Sequence, residues 1–119
     1  MSLGYNIETI NNSTIIFHLE GQILEHIETI NLLHEVEKAI EENKTHIICN
    51  LKELQYLNSV GLNLLIKVLT KIRNNGGELI ITNVSPKIEK LLVITKLNSI
   101  FKIFPTIDDA INSLKEKSN

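Results

Sequence analysis

LQYLNSVGLNLL, residues 54–65, joins two segments whose hydrophobic patterns differ. The apolar run at residues 47–51 is short and bounded by polar residues, which is typical of a buried strand. After the quoted stretch, apolar residues recur at the spacing of one face of a helix; they are Leu62, Leu65, Ile66, Leu69 and Ile72. The pattern predicts a strand, then a loop, then an amphipathic helix.

Asn58 and Ser59 lie where this helix is predicted to begin. Either side-chain oxygen can accept a hydrogen bond from a free backbone N–H of the first turn. Gly61 has no Cβ, so another backbone or a partner surface can come close there. The free N–H groups and the helix dipole favour negative charge, so a phosphate on Ser59 would be tolerated.

The rest of the chain alternates strand and helix patterns after an opening hairpin, which predicts an α/β fold. Strands are predicted at residues 4–10, 14–21, 46–51, 78–84 and 100–104, and the unbroken hydrophobicity of 46–51 places that strand centrally. Helices are predicted at about 25–42, from Ser59, from Ser85 and from Thr106. In the first helix the predicted apolar face follows the pattern Ile27, Ile30, Leu33, Val36/Glu37 and Ile40. We expect a mixed sheet of four to five strands with about four helices packed on it.

Composition narrows the function classes. The 119 residues fit one domain, residues 1–119, and a net charge of −2 gives no basic face for nucleic acid. No apolar run is long enough to span a bilayer, so no membrane partner is expected. Cys49 is the only cysteine, which excludes an internal disulfide and fits a reducing cytoplasm.

Side chains that carry catalysis or bind metals show no convincing arrangement. The four histidines lack ligand spacing, and Cys49 lies in an apolar strand without an activating neighbour on its face. Asp108 and Asp109 lie at a predicted helix start, where acidic residues favour the dipole. We therefore expect no metal, no cofactor and no enzymatic activity.

Asn58-Ser59-Val60-Gly61-Leu62 resembles the Asp-Ser-Ser/Ala-Gly-Leu loop of STAS domains, the family of bacterial anti-sigma-factor antagonists. The early strand ending at residues 21–23 and the Gly-Gly-x-Leu strand at 76–79 also resemble that family. Together with the closing segments at 95–97 and 101–103, the resemblance covers about residues 13–114 in the family's order. It implies a single STAS-like domain.

The resemblance implies that Ser59 is phosphorylated by a partner, an anti-sigma factor with serine-kinase activity. The unmodified form would bind this partner and free a sigma factor. The implied contact surface is the loop and the first turns of the second helix, formed by Leu57, Asn58, Ser59, Val60, Gly61, Leu62, Asn63 and Ile66. On loop chemistry alone, a purely capping role for Ser59 remains open, and so does a homodimer.

Three positions depart from the family pattern. Leu24, Asn50 and Asn58 stand where the family carries acidic residues, and we expect all three near one end of the sheet, where they make the contact surface less acidic. The alternative function is a non-phosphorylated STAS scaffold or transport-associated interaction module, which the missing carboxylates favour.

Overall fold

The computed structural model describes residues 2–117, with side chains through Lys115. Its strands are β1 (Leu3–Thr9), β2 (Thr14–Ile23), β3 (His46–Leu57), β4 (Glu78–Thr82) and β5 (Lys102–Phe104). Its helices are α1 (His26–Glu41), α2 (Ser59–Asn74), α3 (Pro86–Ile94) and α4 (Ile107–Lys117), with one 3₁₀ turn at Leu97–Ser99.

The strands form one mixed sheet in the order β1-β2-β3-β4-β5, so β3 is the central strand. β1 runs antiparallel to β2, and β2 to β5 run parallel to one another. Parallel neighbours need a crossover, and a helix follows each of β2, β3 and β4. The predicted fold class, the mixed sheet and the central position of β3 are confirmed.

Helices cover the two faces of the sheet unequally. α1, α2 and α3 pack on one face and form the larger core, in which Phe17, Leu51 and Leu65 are almost fully buried. On the other face, α4 covers a small cluster centred on Ile16, Ile48 and Ile80. At the carboxyl ends of the parallel strands, the chain passes into α1, α2 and α3.

β3 is twice as long as predicted, because residues 52–57 continue the strand instead of forming a loop. This second half pairs with Glu20–Ile23 of β2, with one register shift just before Glu20 and another between Gly21 and Gln22. From residue 51 onward, every third side chain of β3 is buried, namely Leu51, Leu54 and Leu57. A bulge interrupts the two-residue alternation, so the sequence pattern there resembles neither a strand nor a helix.

The buried face of α1 also differs from the prediction. Thr29, Leu32, Val36 and Ala39 point into the core, whereas Ile27 and Ile30 are 70% and 50% exposed. The predicted face and the buried face both have apolar residues at helical spacing. Isoleucine is more hydrophobic than threonine or alanine, so hydrophobicity alone selects the face with Ile27 and Ile30. The prediction for Ile27 and Ile30 is therefore wrong.

Candidate protein-interaction site

Asn58 joins the end of β3 to the start of α2. Its side-chain Oδ1 accepts a hydrogen bond of 2.9 Å from the backbone N–H of Val60, and its Nδ2 donates one of 3.2 Å to the carbonyl of Leu24. Its backbone N–H donates to the Ile23 carbonyl at 3.3 Å, and its backbone carbonyl accepts from Leu62 at 3.0 Å. Asn58 is therefore the cap of α2, and it ties that helix to the segment that leads into α1.

Because Asn58 caps the helix, the side chain of Ser59 is left free. Ser59 is the first residue of α2 and is exposed, and its hydroxyl has no hydrogen-bond partner in the described part of the chain. The first turn carries no acidic residue. The positive end of the helix dipole therefore acts on the hydroxyl without a neighbouring carboxylate to oppose it.

Gly61 is surrounded by the protein's own core and not by open space. A Cβ placed on it would lie 2.6 Å from Cβ of Leu57 and 3.0 Å from Cβ of Ile23. These distances are shorter than normal carbon–carbon contacts, so the start of α2 packs on β2 and β3 at a separation that only glycine allows. The close approach predicted at Gly61 exists, but it is internal.

The predicted contact residues divide into exposed and buried groups. Ser59 and Asn63 are exposed, and Asn58, Val60 and Ile66 are half-buried. The side chain of Leu57 is completely buried and Leu62 is nearly so. Contrary to the prediction, the buried side chain of Leu57 cannot contact a partner directly. Leu57, Gly61 and Leu62 lie on the buried side of the loop.

The start of α1 is tied to the start of α2 through Asn58. Asn58 holds the carbonyl of Leu24, so the first turns of α1 and α2 begin side by side. Ile27 and Ile30, in the first turns of α1, are exposed apolar residues. Their exposure could have been predicted if Thr29, Leu32, Val36 and Ala39 had been taken as the buried face of α1, because that face points both isoleucines toward solvent.

Of the three departures from acidic residues, the structure brings two together. Leu24 and Asn58 share a hydrogen bond, but Asn50 lies eight residues before Asn58 on β3, roughly 25 Å away at the rise of an extended strand. Asn50 instead donates to Nδ1 of His18 at 2.9 Å, and Nε2 of His18 contacts Glu8 at 2.9 Å. The prediction that Asn50 lies near Leu24 and Asn58 is therefore wrong. Asn50 belongs to a row of hydrogen-bonded side chains that crosses β1, β2 and β3.

Two titratable side chains depart from their ordinary behaviour. Burial raises the pKa of the Cys49 thiol to about 12, which keeps it protonated and unreactive in the core. The pKa of Glu28 is lowered, first by the hydrogen bond of 2.7 Å from the backbone N–H of Leu3 and also by those from Leu24 and Glu25. Glu28 thereby fixes β1 and the start of α1 next to the Asn58 bridge.

Within the described residues, no group of three or more histidine, cysteine, aspartate or glutamate side chains has the geometry to hold a metal ion. None of the helices between residues 2 and 117 has the length and apolar character required to cross a bilayer.

Comparison with known proteins identifies the family to which this fold and loop belong. The family model for the STAS domain matches residues 6–110, which is most of the chain. The chain belongs to the STAS domain family. The anti-sigma F factor antagonist of Paenibacillus polymyxa is 30% identical over 107 residues, covering 89% of this chain and 88% of that protein.

Solved structures of STAS proteins share the fold. An anti-sigma factor antagonist from Mycobacterium paratuberculosis superimposes with a TM-score of 0.81 at 20% identity, covering 96% of this chain and 95% of its own. The Bacillus cell fate determinant SpoIIAA in its phosphorylated form superimposes with a TM-score of 0.73 at 22% identity, covering 93% and 99%. At these identities the likeness concerns the fold alone.

Proposed function

We propose that this STAS protein is an anti-sigma factor antagonist that acts in the cytoplasm. Its unmodified form binds an anti-sigma factor with serine-kinase activity and releases a sigma factor, and phosphorylation of Ser59 ends the binding. The role is one of binding and not of catalysis. The relative from Paenibacillus polymyxa, which carries this activity in its name, supports the proposal.

The observation that carries the proposal is the free hydroxyl of Ser59. It stands exposed at the first position of α2, while the neighbouring Asn58 supplies the cap. A kinase can reach this oxygen without breaking a helix contact. A phosphate there lies at the positive end of the dipole, so the modification leaves the fold intact.

The effect of phosphorylation on binding is electrostatic. The phosphate adds about −1.5 to −2 charges at a surface composed of Ser59, Asn63, Val60 and Ile66. A charge buried at an interface without a partner costs about 2–5 kcal/mol, and about 2.8 kcal/mol already equals a hundredfold in affinity. This suffices for a switch.

The test starts from the complex of sigma factor and anti-sigma factor of the same organism. Added unmodified protein is expected to displace the sigma factor, as measured by native mass spectrometry, and enzymatically phosphorylated protein is expected to leave the complex intact. Displacement by both forms contradicts the switch. Displacement by neither contradicts the antagonist function and favours the non-phosphorylated scaffold or transport-associated module, for which the absent carboxylates at Leu24 and Asn58 also speak.

A further inference from the structure

The side chains of Glu8, His18 and Asn50 form a hydrogen-bonded row across three strands, called here the His18 row. His18 lies two residues after Ile16, and Asn50 lies two residues after Ile48, so both belong to the face of the sheet that carries α4. They line a cavity of ≈ 280 Å³ whose walls come from β1, β2 and β3. Solvent reaches the row there, since 30% of the His18 side chain is exposed.

The contacts of His18 select one protonation state of its ring. Nε2 lies 2.9 Å from Oε1 of Glu8, and a carboxylate only accepts hydrogen bonds, so Nε2 carries a proton. Nδ1 lies 2.9 Å from Nδ2 of Asn50, and an amide NH₂ group donates, so Nδ1 is the acceptor. Both contacts are satisfied together by the neutral imidazole with its proton on Nε2.

The orientation of the Asn50 amide is fixed from its other end. Its Oδ1 accepts a hydrogen bond of 3.1 Å from the backbone N–H of Lys52. If the amide turned over, its NH₂ group would face this N–H, and two donors would meet. The same side chain therefore donates to His18 and accepts from Lys52, and it cannot reverse one contact without losing the other.

This backbone N–H belongs to a bulge in β3. His18 is opposite Asn50 and Glu20 is opposite Glu53, so one residue of β2 faces two residues of β3, Leu51 and Lys52. A bulge disturbs the regular ladder of backbone hydrogen bonds, which gives a side-chain acceptor a place to act. The Asn50 amide thus holds the bulge from which the second half of β3 begins.

We propose that His18 and Asn50 form a proton-sensitive lock on the bulge of β3. When solvent supplies a second proton, both ring nitrogens of His18 become donors, and the N–H on Nδ1 meets the NH₂ group of Asn50. The amide then turns so that Oδ1 accepts from His18, and the N–H of Lys52 is released to water. Histidine changes its charge between about pH 5 and pH 8, so the lock opens within that range.

The charged side chains around His18 come from all three strands. Glu8 contacts the ring, and Glu20, Lys52 and Glu53 line the same cavity. Glu8 is 55% exposed and the other three are exposed, so water and salt screen their charges. These charges determine the pH at which His18 titrates. They do not alter the number of donors and acceptors in the row, which is what turns the amide.

The His18 row is separate from the Ser59 surface. Asn50 precedes Asn58 by eight residues of β3, and the row contains no residue of the loop or of α2. The inference goes beyond the proposed function, and its failure would leave that function untouched.

The first test is NMR spectroscopy of the ¹⁵N-labelled full chain. At pH 8 the ring of His18 is expected to be neutral with its proton on Nε2, as long-range ¹H–¹⁵N correlation distinguishes directly. Between pH 8 and pH 5 the backbone N–H of Lys52 and the side-chain NH₂ of Asn50 should shift with the same midpoint as the His18 ring. A proton on Nδ1 at pH 8, or a Lys52 signal that does not follow His18, would overturn the proposal.

The second test replaces the donor of Asn50 by an acceptor. In Asn50→Asp, both ring nitrogens of His18 face carboxylates, which favours the doubly protonated ring. The titration midpoint of His18 should therefore rise by at least about one pH unit, a tenfold gain in proton affinity. The N–H of Lys52 should keep an acceptor at every pH, because the carboxylate has one oxygen for each neighbour.

The matched control is Asn31→Asp, which adds the same charge at an exposed position of α1 and should move the His18 midpoint by less than about 0.3 units. Equal shifts in the two variants would mean that only net charge matters, and an unchanged midpoint in Asn50→Asp would mean that Asn50 does not sense the ring. Either result overturns the lock. If Asn50→Asp does not fold, as judged by circular dichroism, the tautomer and the Lys52 titration of the unmodified chain decide.

Discussion

The starts of α2 and α3 are built from similar residues but leave their serines in opposite states. Both helices follow parallel strands at the same edge of the sheet, and each start contains a serine. At α3, Ser85 is the cap, is half-buried, and its Oγ accepts the N–H of Ile88 at 3.2 Å. At α2, Asn58 is the cap, and Ser59, one position later, is exposed with its hydroxyl free.

At a helix start, the residue that serves as the cap determines whether a neighbouring serine hydroxyl is available for modification. A capping hydroxyl is committed to the backbone and stabilises the helix. A serine at the next position contributes little to the helix, so its hydroxyl is available for modification. The expected effects of substitution at the two starts follow from this contrast.

The largest expected effect is on partner affinity. Ser59→Asp should weaken binding to the anti-sigma factor about a hundredfold, or about 2.8 kcal/mol, because it places a charge at the interface. Ser85→Asp is the matched control: aspartate is a good cap, so affinity and fold should both be retained. Isothermal titration calorimetry measures the affinities, and circular dichroism checks the fold. Equal losses for both variants, or none for Ser59→Asp, would break the contrast.

The next effect is on stability. Gly61 and Ile88 occupy the same third helical position, but Gly61 packs against Leu57 and Ile23 with no room for a methyl group. Gly61→Ala should therefore destabilise the protein by about 1–3 kcal/mol, the usual cost of overpacking. Urea denaturation measures the free energy of unfolding. A stabilised Gly61→Ala would mean that the start of α2 lies further from the sheet.

Removing each hydroxyl distinguishes the two serines directly. Ser85→Ala loses a cap and should cost about 1 kcal/mol, whereas Ser59→Ala removes no hydrogen bond and should change stability by less than about 0.5 kcal/mol. The same urea titrations provide the comparison. If Ser59→Ala is the more destabilising of the two, the hydroxyl of Ser59 stabilises the fold, contrary to this account.

The smallest effect concerns the start of α1. There the charged Glu28 accepts backbone hydrogen bonds, whereas at the start of α2 the acceptor is the neutral Asn58. The pKa of Glu28 lies below its ordinary value of 4.5 in the folded protein. Its contribution to stability is therefore present above that value and is lost as the pH falls through the folded pKa. Glu28→Gln should reduce the loss of stability between about pH 6 and about pH 3, measured by urea midpoints. An unchanged acid dependence would exclude this role for Glu28.

Much of the fold was predictable because long patterns define it. The alternation of strands and helices, the central β3 and the cap at Ser85 all follow from hydrophobic spacing and turn residues. The second half of β3 was not predictable, because bulges against β2 abolish the alternation at residues 52–57. The exposure of Ile27 and Ile30 was missed because α1 has two candidate apolar faces, and only packing against the sheet selects between them.

The position of Ser59 at the start of a helix was predictable from the sequence, but its surroundings were not. The resemblance located Ser59, but residues alone allowed either Asn58 or Ser59 to cap α2. The choice of Asn58 as the cap depends on a tertiary contact, because its side-chain amide also donates to the carbonyl of Leu24, which is 34 residues away in the sequence. The same contacts removed Leu57 from the surface and separated Asn50 from the loop.

The most direct test of the switch is to locate the phosphate. The protein is incubated with ATP and the cognate anti-sigma factor kinase, digested, and sequenced by tandem mass spectrometry. We predict a single phosphate on Ser59, with none on Ser85 and none on the Ser59→Ala variant. A phosphate on another residue, or an unmodified protein in the presence of a kinase that phosphorylates a control substrate, would contradict the account.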